Sequence, residues 1–311
     1  MSAEAALLAR LRGLAGDPAA RGLADDVALL GDLVLTHDTI VEGIHYLSQD
    51  PPETVGWKLA AVNLSDLAAK GATPAGALLS LAIGGTPGWE ERFLTGFDEA
   101  CRAFGLPLLG GDTVALPAGA PRVLGLTALG RAGANVPSRA GGAPGDRLWV
   151  IGTIGDAVAG LAQLRDDEGA SGPLVEAYRR PQPLLAAGRI LAPHASAMMD
   201  VSDGLLLDAR RLAEASGCGL RLDLSGVPLS PAFVSARGED RAARLFAATG
   251  GDDYALLVAL DPGISPLTLL QPSSVTIAPV GELTKNGVFA LVDDLGSVPL
   301  PGRLGYEHNL S

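Results

Sequence analysis

The stretch Ala61–Pro74, "AVNLSDLAAKGATP", decides how this chain is read. Ala, Leu and Val dominate it and mark a buried helix, yet Asn63, Ser65 and Asp66 stand in its middle. Polar groups taken into a core need partners, and a buried carboxylate needs a cation or several donors. On an ideal helix Asn63, Asp66 and Lys70 fall at i, i+3 and i+7 and share one narrow face. Two readings stand here: an exposed stripe with an Asp66–Lys70 ion pair, or a ligand-bearing face packed into a cleft.

Outward from this point, "DPPETVGWKLAAVNLSDLAAKG" carries helix signals: Asp50 as N-cap, Pro51 in the first turn, Glu53 three residues after the cap, and Gly71 as stop. Upstream, a helix is expected over 4–14 and a strand over 33–40. Downstream, strands are expected over 76–83, 106–113 and 122–132, with an amphipathic helix over 89–105. The strand 106–113 is expected to run into a turn at Gly110–Gly111. "RLWVIGTIGDAVAGLAQL" and "AMMDVSDGLLLDARRLAEASG" each read as strand, turn and helix, and four later segments, from "GLRLDL" to "GVFALVDD", read as strands. Interleaved strands and helices predict an α/β class of the α+β type, with two mixed α/β domains. The Gly/Pro-rich "RAGGAPGD" (139–146) marks the linker, and the domains are drawn as 1–137 and 138–311.

A chain of 311 residues is long for one core, and 48% hydrophobic with 19% charged residues is ordinary globular composition. No apolar run reaches the length of a membrane span. The first residues, "MSAEAALLARLRGLAGD", lack a signal peptide's basic start and unbroken apolar block. Cys101 and Cys218 form no metal or disulfide framework, so a cytoplasmic protein is expected. A net charge of −12 without a Lys/Arg block argues against nucleic acid as a partner.

The acidic residues are not scattered. Asp25 and Asp26 lie in "LADDVALL", Asp38 closes "LVLTHD", and Asp112 sits in "LLGGDT". Asp200 and Asp203 lie in "MMDVSDGL", Asp252 and Asp253 in "TGGDDYALL". Most mark junctions where an apolar run meets a turn, the places where α/β proteins hold ligands. Carboxylates with hydroxyls and no His/Cys cluster indicate a hard cation, Mg²⁺ before Zn²⁺. Magnesium bridges to phosphates, and the pairs Gly110–Gly111 and Gly250–Gly251 allow close backbone approach to one. Neither a P-loop nor the protein-kinase signature set is present, and "GTIGDAVAG" reads as a plain strand-to-helix turn. His194 and His308 read as surface or turn residues and His37 as a bystander. His45 is either a hydrogen-bonded loop residue or part of the site. No nucleophile–base triad can be assembled.

In order, "ADDVALL", "THDTIVEGIHYL", "AVNLSDLAAKGATP", "LLGGDT", "PSRAGGAPGD", "DVSDGL" and "GGDDYALL" resemble the thiamine-monophosphate kinase family. That family shares a superfamily with aminoimidazole ribonucleotide synthetase and selenophosphate synthetase. The resemblance runs from about residue 22 to Tyr306. It implies an N-terminal ATP- and metal-binding domain whose sheet forms a homodimer interface, and a C-terminal domain completing the cleft. By matching position it implies magnesium ligands at Asp26, Asp38, Asp66, Asp112 and Asp200, with Thr36 and Asp203 contributing. It implies ATP contacts at Gly111, Asp112, Arg139 and Ser202, and thiamine-phosphate contacts at His45, Asp252 and Tyr306. The implied reaction converts ATP and thiamine monophosphate into ADP and thiamine diphosphate, with several Mg²⁺ ions and no covalent nucleophile.

The chain departs from the family pattern at Ala24 for a usual Gly and at His37 for a hydroxyl residue. It departs again at Asp252 for a usual Glu and at Lys70 for a usual apolar residue. Two alternatives stand beside this reading: another ATP-dependent enzyme of the superfamily, or a non-catalytic nucleotide- or cation-binding module. A selenophosphate synthetase is expected to carry a reactive Cys or selenocysteine with a nearby Lys close to its start, a pattern not seen here.

Overall fold

The computed structural model describes residues 3–307, so His308 lies outside the described residues. The first half contains β1 (Ala28–Leu30), β2 (Leu33–Val41), β3 (Thr73–Ile83), β4 (Leu108–Ala115) and β5 (Val123–Arg131). These form a sheet in the order β1-β2-β5-β3-β4, antiparallel except for the parallel pair β3–β4. The second half contains β6 (Arg147–Ile151), β7 (Ala197–Val201), β8 (Gly219–Asp223), β9 (Ala255–Leu260), β10 (Ile277–Thr284), β11 (Phe289–Asp293) and β12 (Gly296–Val298). Its order is β12-β11-β8-β10-β6-β9-β7, with β8–β11 parallel and the other pairs antiparallel. Both layers are mixed α/β, as the interleaved pattern requires. The segment 132–146 joins them.

The helices include α1 (Ala3–Leu14), α2 (Pro52–Ala69), α3 (Trp89–Phe104), α4 (Asp156–Asp166), α5 (Pro173–Arg179), α6 (Leu185–Leu191) and α7 (Leu205–Ala215). Helix α2 is buried at every position but Glu53, Thr54, Trp57 and Asp66. A helix apolar on all sides belongs inside a protein rather than on its surface. Here it lies between the two sheets. Val34 and Ile40 of β2 and Leu124 and Leu126 of β5 share one core with Leu59, Leu64 and Leu67 of α2. The same core takes in Trp149 and Ile151 of β6, Met198 of β7, and Leu256 and Val258 of β9. The alternate residues of those strands, such as Leu148, Val150, Met199 and Leu257, face a second core built with Leu205, Leu206 and Leu212 of α7. Strands buried on both faces read as continuous apolar runs, which is why "AMMDV" and "YALLVAL" show no alternation.

The start of α2 differs from expectation. Pro51 occupies the N-cap position and no side chain caps the helix. The Asp50 carboxylate instead accepts from the Leu47 N–H at 2.8 Å, from Arg179 Nε at 2.8 Å and from the Tyr178 hydroxyl at 3.1 Å. Tertiary partners with charge and geometry thus displace the local cap. Gly110–Gly111 does not form a turn either, because β4 continues through both. Gly111 is required for packing: a Cβ there would stand 1.9 Å from the Leu79 carbonyl oxygen of β3.

Candidate active site

Strand parity brings the acidic residues together. Thr36 and Asp38 share the face of β2 with Val34 and Ile40, towards α2. Asp200 shares the α2-facing side of β7 with Met198. Between them, α2 presents its three central polar residues, each with a distinct partner. Asn63 Oδ1 accepts the Asp38 N–H at 3.1 Å, while its Nδ2 donates to the Leu59 carbonyl at 2.9 Å. Ser65 Oγ donates to Asp200 Oδ2 at 2.7 Å. Asp66 Oδ2 accepts from the Thr36 hydroxyl. The helix therefore fixes a β2 backbone group, a β7 carboxylate and its own Asp66 in one register.

Asp26, Asp66 and Asp200 each place an oxygen within 4.8 Å of the others. Burial, then the charges of Asp38, Asp200 and Asp26, push the Asp66 carboxyl well above the usual carboxylate range. Asp200 is pushed up to about 8, chiefly by burial and by Asp26, against the lowering effect of Ser65. Asp38 is raised to about 6 by burial and by Asp26 and Asp203. Asp26 behaves oppositely. Burial pushes it up, but Lys70 and Arg139 together outweigh burial and hold it far below its ordinary value. Three crowded carboxylates, Asp200 buried and Asp38 and Asp66 partly so, thus have no compensating cation of the kind Asp26 has among the described residues. An all-oxygen donor set with that excess negative charge, supported by Thr36 and Ser65 hydroxyls, fits a hard divalent cation.

Asp38, Asp66 and Asp200 form the floor of a cavity of about 510 Å³. Asp38, Asp66, Asp200, Ser202, Asp203 and Asp252 line its acidic side, with Gly250 and Gly251 beside them. Ile44, Val158, Leu161 and Tyr178 give an apolar wall, and His45, Arg165, Arg303 and Tyr306 complete the rim. His45 Nδ1 accepts the Val41 N–H at 3.0 Å, and the Tyr306 N–H donates to the Asp203 carbonyl at 2.8 Å. Asp203 is paired with Arg211, which also lies 3.1 Å from Asp208. Burial, then the neighbouring Asp203, raises Asp208 to about 7.

Among the expected site residues, Asp38, His45, Asp66, Asp200, Ser202, Asp203, Asp252 and Tyr306 all line this cavity. Thr36, Asp26 and Arg139 stand behind it, bonded to Asp66 or to each other. Gly111 and Asp112 do not line it; they lie on the exposed strand β4, where Asp112 pairs in register with Ser80. His37 projects from the opposite face of β2 and bonds Thr127 Oγ1 at 2.9 Å. The Asp66–Lys70 ion pair left open above is not formed. Lys70 reaches Asp25 at 2.6 Å and Asp26 at 2.8 Å instead.

Sequence reasoning missed Lys58, a buried cation on α2. Its ammonium pairs with Asp252 Oδ2 at 2.5 Å, donates to the His45 carbonyl at 3.1 Å and lies 4.1 Å from the centre of the Tyr178 ring. The Tyr254 hydroxyl donates to Asp252 Oδ1 at 2.8 Å. Asp252 has φ +68°, and its N–H donates to the Ser202 carbonyl at 2.7 Å. A lysine in the middle of a helix packed into a core was a usable signal, since such a charge needs an anionic partner. Asp208 and Arg211, which brace Asp203, left no such mark because "LLLDARRL" reads as an ordinary amphipathic helix.

Residues 24–132 match the family of AIR synthase related protein, N-terminal domain, and residues 143–294 match AIR synthase related protein, C-terminal domain. The chain is 40% identical to thiamine-monophosphate kinase of Caulobacter vibrioides, over 94% of this chain and 86% of that protein. A solved structure of AaThiL complexed with AMPPCP and TMP superposes with a TM-score of 0.83 at 27% identity, covering 97% of this chain and 96% of that one. The thiamine-monophosphate kinase of Stenotrophomonas maltophilia K279a superposes with a TM-score of 0.77 at 33% identity, covering 91% and 93%. With both halves matched and the acidic cleft formed between them, the chain belongs to the thiamine-monophosphate kinase family.

Proposed function

We propose that this protein transfers the γ-phosphoryl group of ATP to thiamine monophosphate, giving thiamine diphosphate and ADP, by direct in-line displacement with magnesium. The observation carrying this reading is the convergence of Asp26, Asp66 and Asp200 beneath the cavity, in a chain of this family. Asp38, Asp66 and Asp200 would hold the metal, with Thr36 and Asp203 contributing; Asp112, which lies outside the cavity, is assigned a metal role on its match to the family motif alone, and the Asp26 oxygens already carry Lys70 and Arg139. Bound magnesium would supply the positive charge that offsets repulsion between the two phosphate-bearing reactants.

The protein groups position the reactants. A phosphate monoester has a second pKa near ~6, so the acceptor is largely dianionic near neutrality and no base is needed to activate it. One acceptor oxygen forms a bond to γ-phosphorus while the bond to the β,γ-bridging oxygen breaks, and ADP leaves with that electron pair. Gly111, Asp112, Arg139 and Ser202 are assigned to ATP, and His45, Asp252 and Tyr306 to thiamine monophosphate, on their match to the family motifs. The wall of Ile44, Leu161 and Tyr178 supports an organic ring beside the phosphate-binding end. Lys58 and Tyr254 hold Asp252 from both of its oxygens, presenting it towards that ring.

A homodimer formed through the first sheet belongs to the same reading. All eight residues of the edge strand β4 are exposed, and Leu108, Leu109 and Val114 on it are at least half exposed. A long, apolar, uncovered edge is a liability in a monomer and is commonly covered by a partner. The decisive assay combines the protein with ATP, Mg²⁺ and thiamine monophosphate and scores thiamine diphosphate. Product that requires all three supports the reading. No product at saturation, with ADP formed by phosphoryl transfer to another acceptor, moves the chain to a different chemistry of the superfamily. Radiolabelled γ-phosphate trapped on the protein without acceptor would refute direct transfer.

A further inference from the structure

The cation at the end of α2 supports an inference that rests on the magnesium reading above and goes beyond it. Lys70 is fully buried, at 0% exposure. Its ammonium lies 2.6 Å from Asp25 Oδ1 and 2.8 Å from Asp26 Oδ2, and it donates to the Met198 carbonyl at 3.0 Å. An ammonium has three N–H donors, so these acceptors saturate it. Arg139 takes the other Asp26 oxygen, and Arg21 lies 2.9 Å from Asp25 Oδ2. Asp26 therefore has a protein cation on each oxygen. Asp66 and Asp200 have hydroxyl donors, Thr36 and Ser65, and no ion pair among the described residues. Yet all three carboxylates converge.

We propose that the Lys70 ammonium is a built-in cation that stands in for one divalent ion at the Asp26 corner, leaving metal to Asp38, Asp66 and Asp200. Two carboxylates there already face three basic groups, so a further dication at Asp26 would enter a net positive set. The opposite corner is uncompensated and attracts metal. Lys70 also ties three elements together: the Asp25–Asp26 loop, the end of α2, and β7 through Met198. Asp26 is thereby oriented before any metal arrives.

The test counts bound Mn²⁺ by electron paramagnetic resonance, in the presence of a non-hydrolysable ATP analogue, for wild type, Lys70→Met and Lys70→Gln. Both variants are expected to bind one more Mn²⁺ per chain than wild type, or to tighten the weakest site by more than roughly tenfold. Repulsion between an ammonium and a dication about 4 Å apart at an effective dielectric of ~20 exceeds that step. In Lys70→Met, Asp25 keeps Arg21 and Asp26 keeps Arg139, so neither carboxylate is buried without a cation. Lys70→Gln retains an N–H donor and serves if the Met variant does not fold. Unchanged stoichiometry and affinity, with wild type binding Mn²⁺, overturns the role of Lys70 alone. A wild type that binds no Mn²⁺ beside nucleotide overturns the magnesium reading, and the Lys70 proposal with it.

Discussion

At the scale of single residues, Asp66 and Asp252 show how one charge acquires opposite settings. Asp66 is surrounded by like charges and has a hydroxyl as partner, so its ionised form is disfavoured until a cation arrives. Asp66→Asn should lower turnover by on the order of 100-fold or more, the scale of removing a group that holds charge in the transition state. The same change removes repulsion, so the metal-free variant should melt no lower than wild type. A near-normal rate, or a large loss of metal-free stability, would return Asp66 to a structural role. Asp252 already has its cation, Lys58. Asp252→Ala should raise KM for thiamine monophosphate more than KM for ATP, and steady-state kinetics with each substrate varied will read the split. Equal effects on both would sink the substrate-side assignment. Lys58→Met should move KM in the same direction, because Asp252 would then keep only the Tyr254 hydroxyl.

At the scale of elements, α2 is the part on which the site depends, and it is gripped backbone to backbone. A Cβ on Gly56 would stand 2.1 Å from the Phe93 carbonyl oxygen of α3, and one on Gly96 would stand 1.8 Å from the Glu53 carbonyl oxygen. On the other side, a Cβ on Gly188 of α6 would stand 2.0 Å from the Ala68 carbonyl oxygen. These contacts fix the rotation of α2 and so decide which way Asn63, Ser65 and Asp66 point. Gly96→Ala should destabilise by about 1–3 kcal/mol, as overpacking does when backbone cannot yield locally. Urea unfolding measures this. Since the change also shifts α2, metal affinity should weaken with stability; a neutral substitution would show that the helices separate freely.

At the scale of the whole molecule, charge and surface set two behaviours. Carboxyls with raised folded-state values make the native state bind protons more tightly than the unfolded chain. Their stabilising contribution is full below the ordinary 3.8 and is lost as pH rises through about 6 for Asp38 and about 8 for Asp200. Asp26 has the reverse sign, and its contribution is lost as pH falls below 3.8, outside that window. The metal-free protein should therefore lose thermal stability as pH rises across this window, and Mg²⁺ should restore most at the alkaline end. A Mg²⁺ effect equal at both ends would count against a metal bound by these carboxylates. For association, light scattering should give twice the 31.5 kDa chain mass, and Leu108→Lys with Val114→Lys should halve it. A wild-type monomer would remove the dimer from the reading.

The sequence by itself determined the element types, the two mixed layers and most of the carboxylates that gather at the cleft, while Asp112 lies apart on β4. Those follow from local patterns: apolar runs ending in Asp, and polar residues embedded in the helix of "AVNLSDLAAKGATP". Only the tertiary structure decided the partners. It gave Asp50 to Tyr178 and Arg179 rather than to a helix cap, and Lys58 to Asp252. It gave Lys70 to Asp25 and Asp26 rather than to Asp66. Helical spacing places Lys70 one turn beyond Asp66, but burial between two sheets supplies nearer carboxylates from distant chain positions. Where a long cation is enclosed, the nearest anion in space takes it, and sequence distance has no part in that choice.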